Sequence, residues 1–125
     1  MNDRSFLARV SSRRPPRGRW LLGAFALVTQ ACEPSLGAAV RSYEHARYPE
    51  AMDELRAVEV EATHRDASSA TRYALYRGLA HFGLGDLRAA RFWLERVRQT
   101  TLVDPSALSA DDTGQLASAW AHLPR

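Results

Sequence analysis

From Ala38 to the C-terminus the apolar residues recur three or four positions apart, and runs of Val, Ile and Thr alternating by two are absent. Isoleucine does not occur in the chain at all. Ala, Leu, Arg and Glu dominate instead, and these are strong helix formers. A spacing of three to four puts apolar side chains on one helical face, whereas a half-buried strand needs alternation by two. The spacing therefore predicts an all-α domain over residues 38–125.

Punctuation divides that domain. Leu36, Ala39, Val40, Tyr43 and Ala46 form one face, which breaks at Arg47-Tyr48. Pro49 suits the first position of a second helix, which buries Met52, Leu55, Val58 and Ala62. His64 to Ser69 reads as a polar connection that offers Asp66, Ser68 and Ser69 as N-caps. A third helix carries Tyr73, Tyr76, Leu79, Ala80 and Phe82, and Gly83-Leu84-Gly85 ends it. Asp86 caps a fourth, with Leu87, Ala90, Trp93, Leu94 and Val97. Thr100 to Ser106 is expected as a loop around Asp104-Pro105. A last helix opens at Ser109–Asp112, holds Leu116, Ala119, Trp120 and Leu123, and stops at Pro124.

The N-terminal part follows a different rule. Arg4, Arg9, Arg13, Arg14, Arg17 and Arg19 precede Trp20, against the single acid Asp3. Trp20 to Ala31 is a run of twelve uncharged residues, and Cys32 follows. A basic stretch, a short apolar core and a small residue before the cut make the layout of a secretory signal. Twelve residues are short for a membrane span, which needs about 20. The Ala31-Cys32 junction resembles the lipobox of bacterial lipoproteins, with Thr29 at the usual aliphatic position and Gln30 before the alanine. That resemblance implies a signal peptide over 1–31, a lipidated tether over 32–37 and diacylation of Cys32. Glu33 at the next position implies sorting to the outer membrane, with the domain facing the periplasm. A conventional signal cut nearby, leaving Cys32 as a free thiol, and an uncleaved anchor are the other readings of the same layout. With one Cys, no disulfide can form within the chain. About 94 residues must then hold together by packing.

The two helix pairs invite a search for a repeat. Arg47-Tyr48-Pro49-Glu50-Ala51 aligns with Asp86-Leu87-Arg88-Ala89-Ala90. The stretch Tyr76 to Leu94 resembles a tetratricopeptide repeat. Gly78 stands at the small residue of the first helix, Gly85-Asp86 at the inter-helix turn, and Ala90 at the small residue of the second. Close approach of two helices requires such small residues at the crossing. Ala51 and Ala90 are 39 apart rather than the usual 34 or so, and the extra residues fall in Glu59–Ala70. The resemblance implies about two antiparallel helix pairs and a C-terminal capping helix. It also implies a concave face lined by Tyr43, Glu44, Arg72, Leu75, Leu79 and Phe82. Leu36, Val40, Leu75 and Leu79 stand where a carboxylate clamp would need Lys and Asn, so an apolar groove for a protein partner is expected. The competing arrangement has the last helix covering that face through Leu116, Trp120 and Leu123.

The chemical inventory is thin. His45, His64, His81 and His122 show no HxxxH or HExxH spacing, and no second Cys exists, so neither metal nor cofactor is expected. There is no GxSxG and no phosphate-binding glycine loop, so an enzyme is not expected. Beyond Trp20 the chain carries 11 Arg against 13 acids, so nucleic acid is not an expected partner. The basic run Arg88, Arg91, Arg96, Arg98 reads as a solvated face, with an acidic partner or lipid headgroup as its functional alternative. Phe92 and Trp93 are adjacent on one helix and point about 100° apart, so one of them is a candidate for exposure. Together these features lead to the expectation of a lipid-anchored scaffold that binds a protein partner at the cell envelope, similar to assembly factors of secretion or pilus machines. The alternative is a non-enzymatic accessory subunit buried in a larger envelope complex, for example a type VI secretion-associated lipoprotein.

Overall fold

A computed structural model describes residues 33–125, and the proposed signal segment 1–31 and Cys32 lie outside the described residues. The described part is all-α, with no strand among its residues. Its helices are α1 (Leu36–Glu44), α2 (Tyr48–Arg65), α3 (Ala67–Gly83), α4 (Leu87–Val103) and α5 (Ala110–His122), with a 3-10 turn at Pro105–Ala107. Residues Pro34–Arg125 form one compact unit, which holds the core cluster found among the described residues.

Local chemistry sets the ends. The Ser35 hydroxyl accepts from the Ala38 amide, so α1 starts at Leu36, inside the stretch expected as tether. Asp66, Asp86 and Ser109 cap α3, α4 and α5 in the same way through the amides of Ser69, Ala89 and Asp112. Two expected loops are helical instead. The connection His64–Ser69 shrinks to Asp66 alone, and α2 is lengthened to 18 residues. The fourth helix continues through Thr100 to Val103, and within it Thr100 and Thr101 donate their hydroxyls to the Arg96 and Arg98 carbonyls of the preceding turn.

The two hairpin turns are the same object. At the end of α1, His45, Ala46 and Arg47 donate their amides to Arg41, Tyr43 and Ser42 carbonyls. At the end of α3, Leu84, Gly85 and Asp86 donate to Ala80, Phe82 and His81, each 39 positions on. The crossed pair of bonds is a Schellman motif, which demands one left-handed residue. That residue is Ala46 (φ 57°) in the first turn and Gly85 (φ 78°) in the second.

Packing places α3 at the centre. It lies along both α2 and α4, whose backbones do not approach each other, and it also meets α1 and α5. At the α3–α4 crossing a Cβ on Gly78 would fall 2.8 Å from Leu94 and 3.1 Å from Trp93, and Ala90 is fully buried. A Cβ on Gly83 would lie 2.7 Å from the Tyr48 ring of α2. Tyr73, Leu55, Leu75, Leu79, Leu94 and Val97 are the largest fully buried side chains. Leu108, Leu116, Ala119 and Leu123 complete the same cluster from the last helix and the chain on either side of it. Ser42 is buried and donates to Glu54, 3.0 Å away, which ties α1 to α2.

Candidate functional site

The face expected to line a groove is divided by the structure. Leu75 and Leu79 are 0% and 1% exposed and belong to the core with Val40, Leu116 and Leu123. They do not line an open groove: both are buried in a core cluster to which the last helix also contributes, and that helix packs on α3. Phe82 and Tyr43 are half-buried against that core. Tyr43 sits edge-on to Tyr76 (5.5 Å, 77°) and tilted on Tyr48 (5.7 Å). Burial pushes its phenol above the ordinary value, and neighbouring Tyr48 adds to this. Glu44 is exposed, and Arg72 is half-exposed. Cys32 lies outside the described residues.

What remains open is a polar cleft of about 500 Å³ where α1, α3 and α5 meet, with Glu44, Arg72, Tyr76, Asp111, Asp112 and Gln115 among its walls. The apolar groove expected from the sequence is thus a polar cleft in the structure. Its centre is Asp112, only 5% exposed, in the first turn of α5. One carboxylate oxygen accepts from the Tyr76 hydroxyl at 2.9 Å, and the other accepts from Arg72 Nε at 3.0 Å. The Arg72 guanidinium also lies over the Tyr76 ring, 5.5 Å from its centre. Burial and then the bond to Asp112 push the Tyr76 phenol up to about 12. Tyr76 therefore keeps its proton at neutral pH and serves as a donor. The triad satisfies a buried carboxylate and fastens α5 to α3. It holds no nucleophile beside a base.

The histidines do not converge on the cleft. His45, His64 and His122 each place Nδ1 against a carbonyl four residues back on their own chain segment. His81 lies 3.6 Å from Asp86. Burial and then the Arg77 charge hold its imidazole below the ordinary value, against the opposing pull of Asp86. Among the described residues no group of three or more His, Cys, Asp or Glu could hold a metal ion, and no helix is long and apolar enough to cross a membrane.

A second surface lies on α4. Phe92 is 57% exposed and Trp93 half-buried, so the adjacent aromatics divide as their 100° separation requires. The Arg96 guanidinium lies 5.6 Å from the Phe92 ring centre and 5.5 Å from that of Trp93, and Arg77 lies 5.5 Å from Trp93 on its own account. Arg91 and Arg98 stand over Trp120 at 5.7 and 5.0 Å. Among the described residues Arg88, Arg91 and Arg96 have no carboxylate within 4.0 Å. Of the basic run, Arg91, Arg96 and Arg98 lie over aromatic rings, and Arg98 also meets Glu95. Sequence reading reached the arginines and the aromatics separately. It missed Asp112, because nothing distinguishes it from Asp111 until α5 is docked.

The fold and these surfaces define an all-α protein of antiparallel helical hairpins closed by a C-terminal helix. No family model matches the chain, and no curated protein and no solved structure matches it either.

Proposed function

We propose that this chain is a non-enzymatic, lipid-anchored helical-repeat adaptor of a bacterial cell envelope. In this reading Cys32 carries the lipid, the outer membrane holds it, and residues 36–123 face the periplasm. α1–α2 and α3–α4 are two tetratricopeptide-like pairs, and α5 is the cap. The observation that carries the repeat reading is the identity of the two hairpin turns, 39 residues apart, with every backbone bond matched. The tight crossing at Gly78 and the buried Ala51 and Ala90 support it. The filled inner face departs from an open array, and it favours the accessory-subunit reading: the domain meets a protein partner through outer surfaces, as a component of a larger assembly such as a secretion or pilus machine.

Radiolabelled palmitate incorporation in a bacterial host tests the anchor. Wild type should incorporate label and fractionate with membranes, and Cys32→Ser should lose label and accumulate as precursor. Normal processing and membrane retention of Cys32→Ser would reject the lipid anchor. Crosslinking in cells tests the subunit reading, which expects adducts that contain a second, different protein; adducts of this chain alone would reject it.

A further inference from the structure

The two outer helices of the central layer carry opposite charge. α4 bears Arg88, Arg91, Arg96 and Arg98 against Glu95. α2 bears Glu50, Asp53, Glu54, Glu59 and Glu61 against Arg56 and Arg65. The charges are also ordered. On α4, Arg88, Phe92 and Arg96 are all exposed and recur every four residues, so they form one stripe with the two cations about 12 Å apart. Phe92 lies between them, and Arg96 is held over the Phe92 and Trp93 rings rather than paired to an acid. On α2, Asp53, Ala57 and Glu61 are exposed at the same four-residue spacing, with Val60, 74% exposed, beside them. Asp53 meets only Arg56, at 3.8 Å on an open surface, and such pairs contribute little.

We infer that α4 of one copy docks on α2 of a second copy of this chain, Arg88 and Arg96 facing Asp53 and Glu61 while Phe92 covers Ala57 and Val60. Charge complementarity selects the occupant: the same chain supplies an acidic stripe with the spacing that the basic stripe requires. An aromatic flanked by arginines is also the residue set that concentrates binding energy at protein interfaces. α2 and α4 are separated by α3, so one contact leaves an unused stripe of each kind on the pair. The inferred association includes head-to-tail growth past the dimer, and a wild-type species that stops at a closed two-fold dimer would overturn that part of it. It does not depend on whether Cys32 is acylated.

Residues 33–125, which contain the core cluster of the described residues, suit the test by sedimentation velocity over a concentration series at low and high salt, once circular dichroism shows that this segment is helical. Wild type should form dimers and larger species that dissociate as salt screens the charges. The neutral pair Arg88→Gln/Arg96→Gln and the neutral pair Asp53→Asn/Glu61→Gln should each weaken association about tenfold or more. Mixed together, these two variants retain one intact stripe of each sign, so they should form a 1:1 dimer and nothing larger. All four positions are exposed, and circular dichroism checks that each variant stays helical. A wild-type chain that remains monomeric throughout, acid variants that associate as well as wild type, or a mixture that yields no dimer would each overturn the inference.

Discussion

The Tyr76 hydroxyl donates to the Asp112 carboxylate across 2.9 Å, and this bond, with Arg72 on the other oxygen, joins the last helix to the central one. Asp112 is almost wholly buried, so removing its carboxylate leaves both donors without their acceptor. Asp112→Ala should destabilise the domain by about 1–3 kcal/mol, and Tyr76→Phe by less, about 0.5–1.5 kcal/mol. Urea unfolding of the two single variants and the double variant measures this. The double variant should lose less than the sum of the singles, because the two side chains share one bond.

Gly78 and Ala90 mark the α3–α4 crossing. A Cβ at Gly78 would meet Leu94 at 2.8 Å, and both residues are buried. Gly78→Ala and Ala90→Leu should each cost about 1–3 kcal/mol through overpacking. Thermal melts that move by no more than their error would place the crossing elsewhere.

The matched turns predict opposite signs at equivalent positions. Ala46 sits at φ 57°, where an L side chain is strained, and Gly85 fills the same place at φ 78°. Ala46→Gly should stabilise by about 0.5–1 kcal/mol, and Gly85→Ala should destabilise by about 1 kcal/mol. Chemical denaturation midpoints of the two variants report both signs directly.

His81 gives the domain a pH dependence. Its imidazole is held below the unfolded value near 6.5, chiefly by burial and then by Arg77. Below that value the unfolded chain binds a proton that the folded chain resists, so stability is present above about pH 6.5 and declines as pH falls toward the folded value. His81→Asn should flatten the pH dependence of the melting temperature between pH 7.5 and pH 5. An unchanged slope would place its origin in other groups.

Helix identity was legible because period and punctuation agreed: Pro49, Asp66, Asp86 and Ser109 all stand where sequence alone put a helix start or a cap. The crossing residues Gly78 and Ala90 were legible because close approach leaves room only for small side chains. The orientation of α3 was not. Leu75 and Leu79 look the same in sequence whether they line an open groove or a closed core, and only the docking of Leu116, Ala119 and Leu123 decides between them. Asp112 was invisible for the same reason, since its burial is created by a partner helix 36 residues away. Of the loop expected at Thr100–Ser106, Thr100 to Val103 is helical, and the capping Asp104 with Pro105 marks the break only after it.

Leu75 and Leu79 on α3 are buried in the same core as residues of α5. Deleting residues 107–125 removes Leu108, Leu116, Ala119 and Leu123 from the core, together with the acceptor of Tyr76 and Arg72. Titration of the truncated and intact domains with a hydrophobic fluorescent dye, alongside thermal melts, measures the consequence. If α5 covers the inner face of α3, the truncated domain alone binds dye strongly, at the newly exposed Leu75 and Leu79, with a clearly lowered melting temperature. Equal dye binding by both forms and an unchanged melt would contradict it, because α5 would then be a dispensable appendage and the inner face of α3 would be closed by something else.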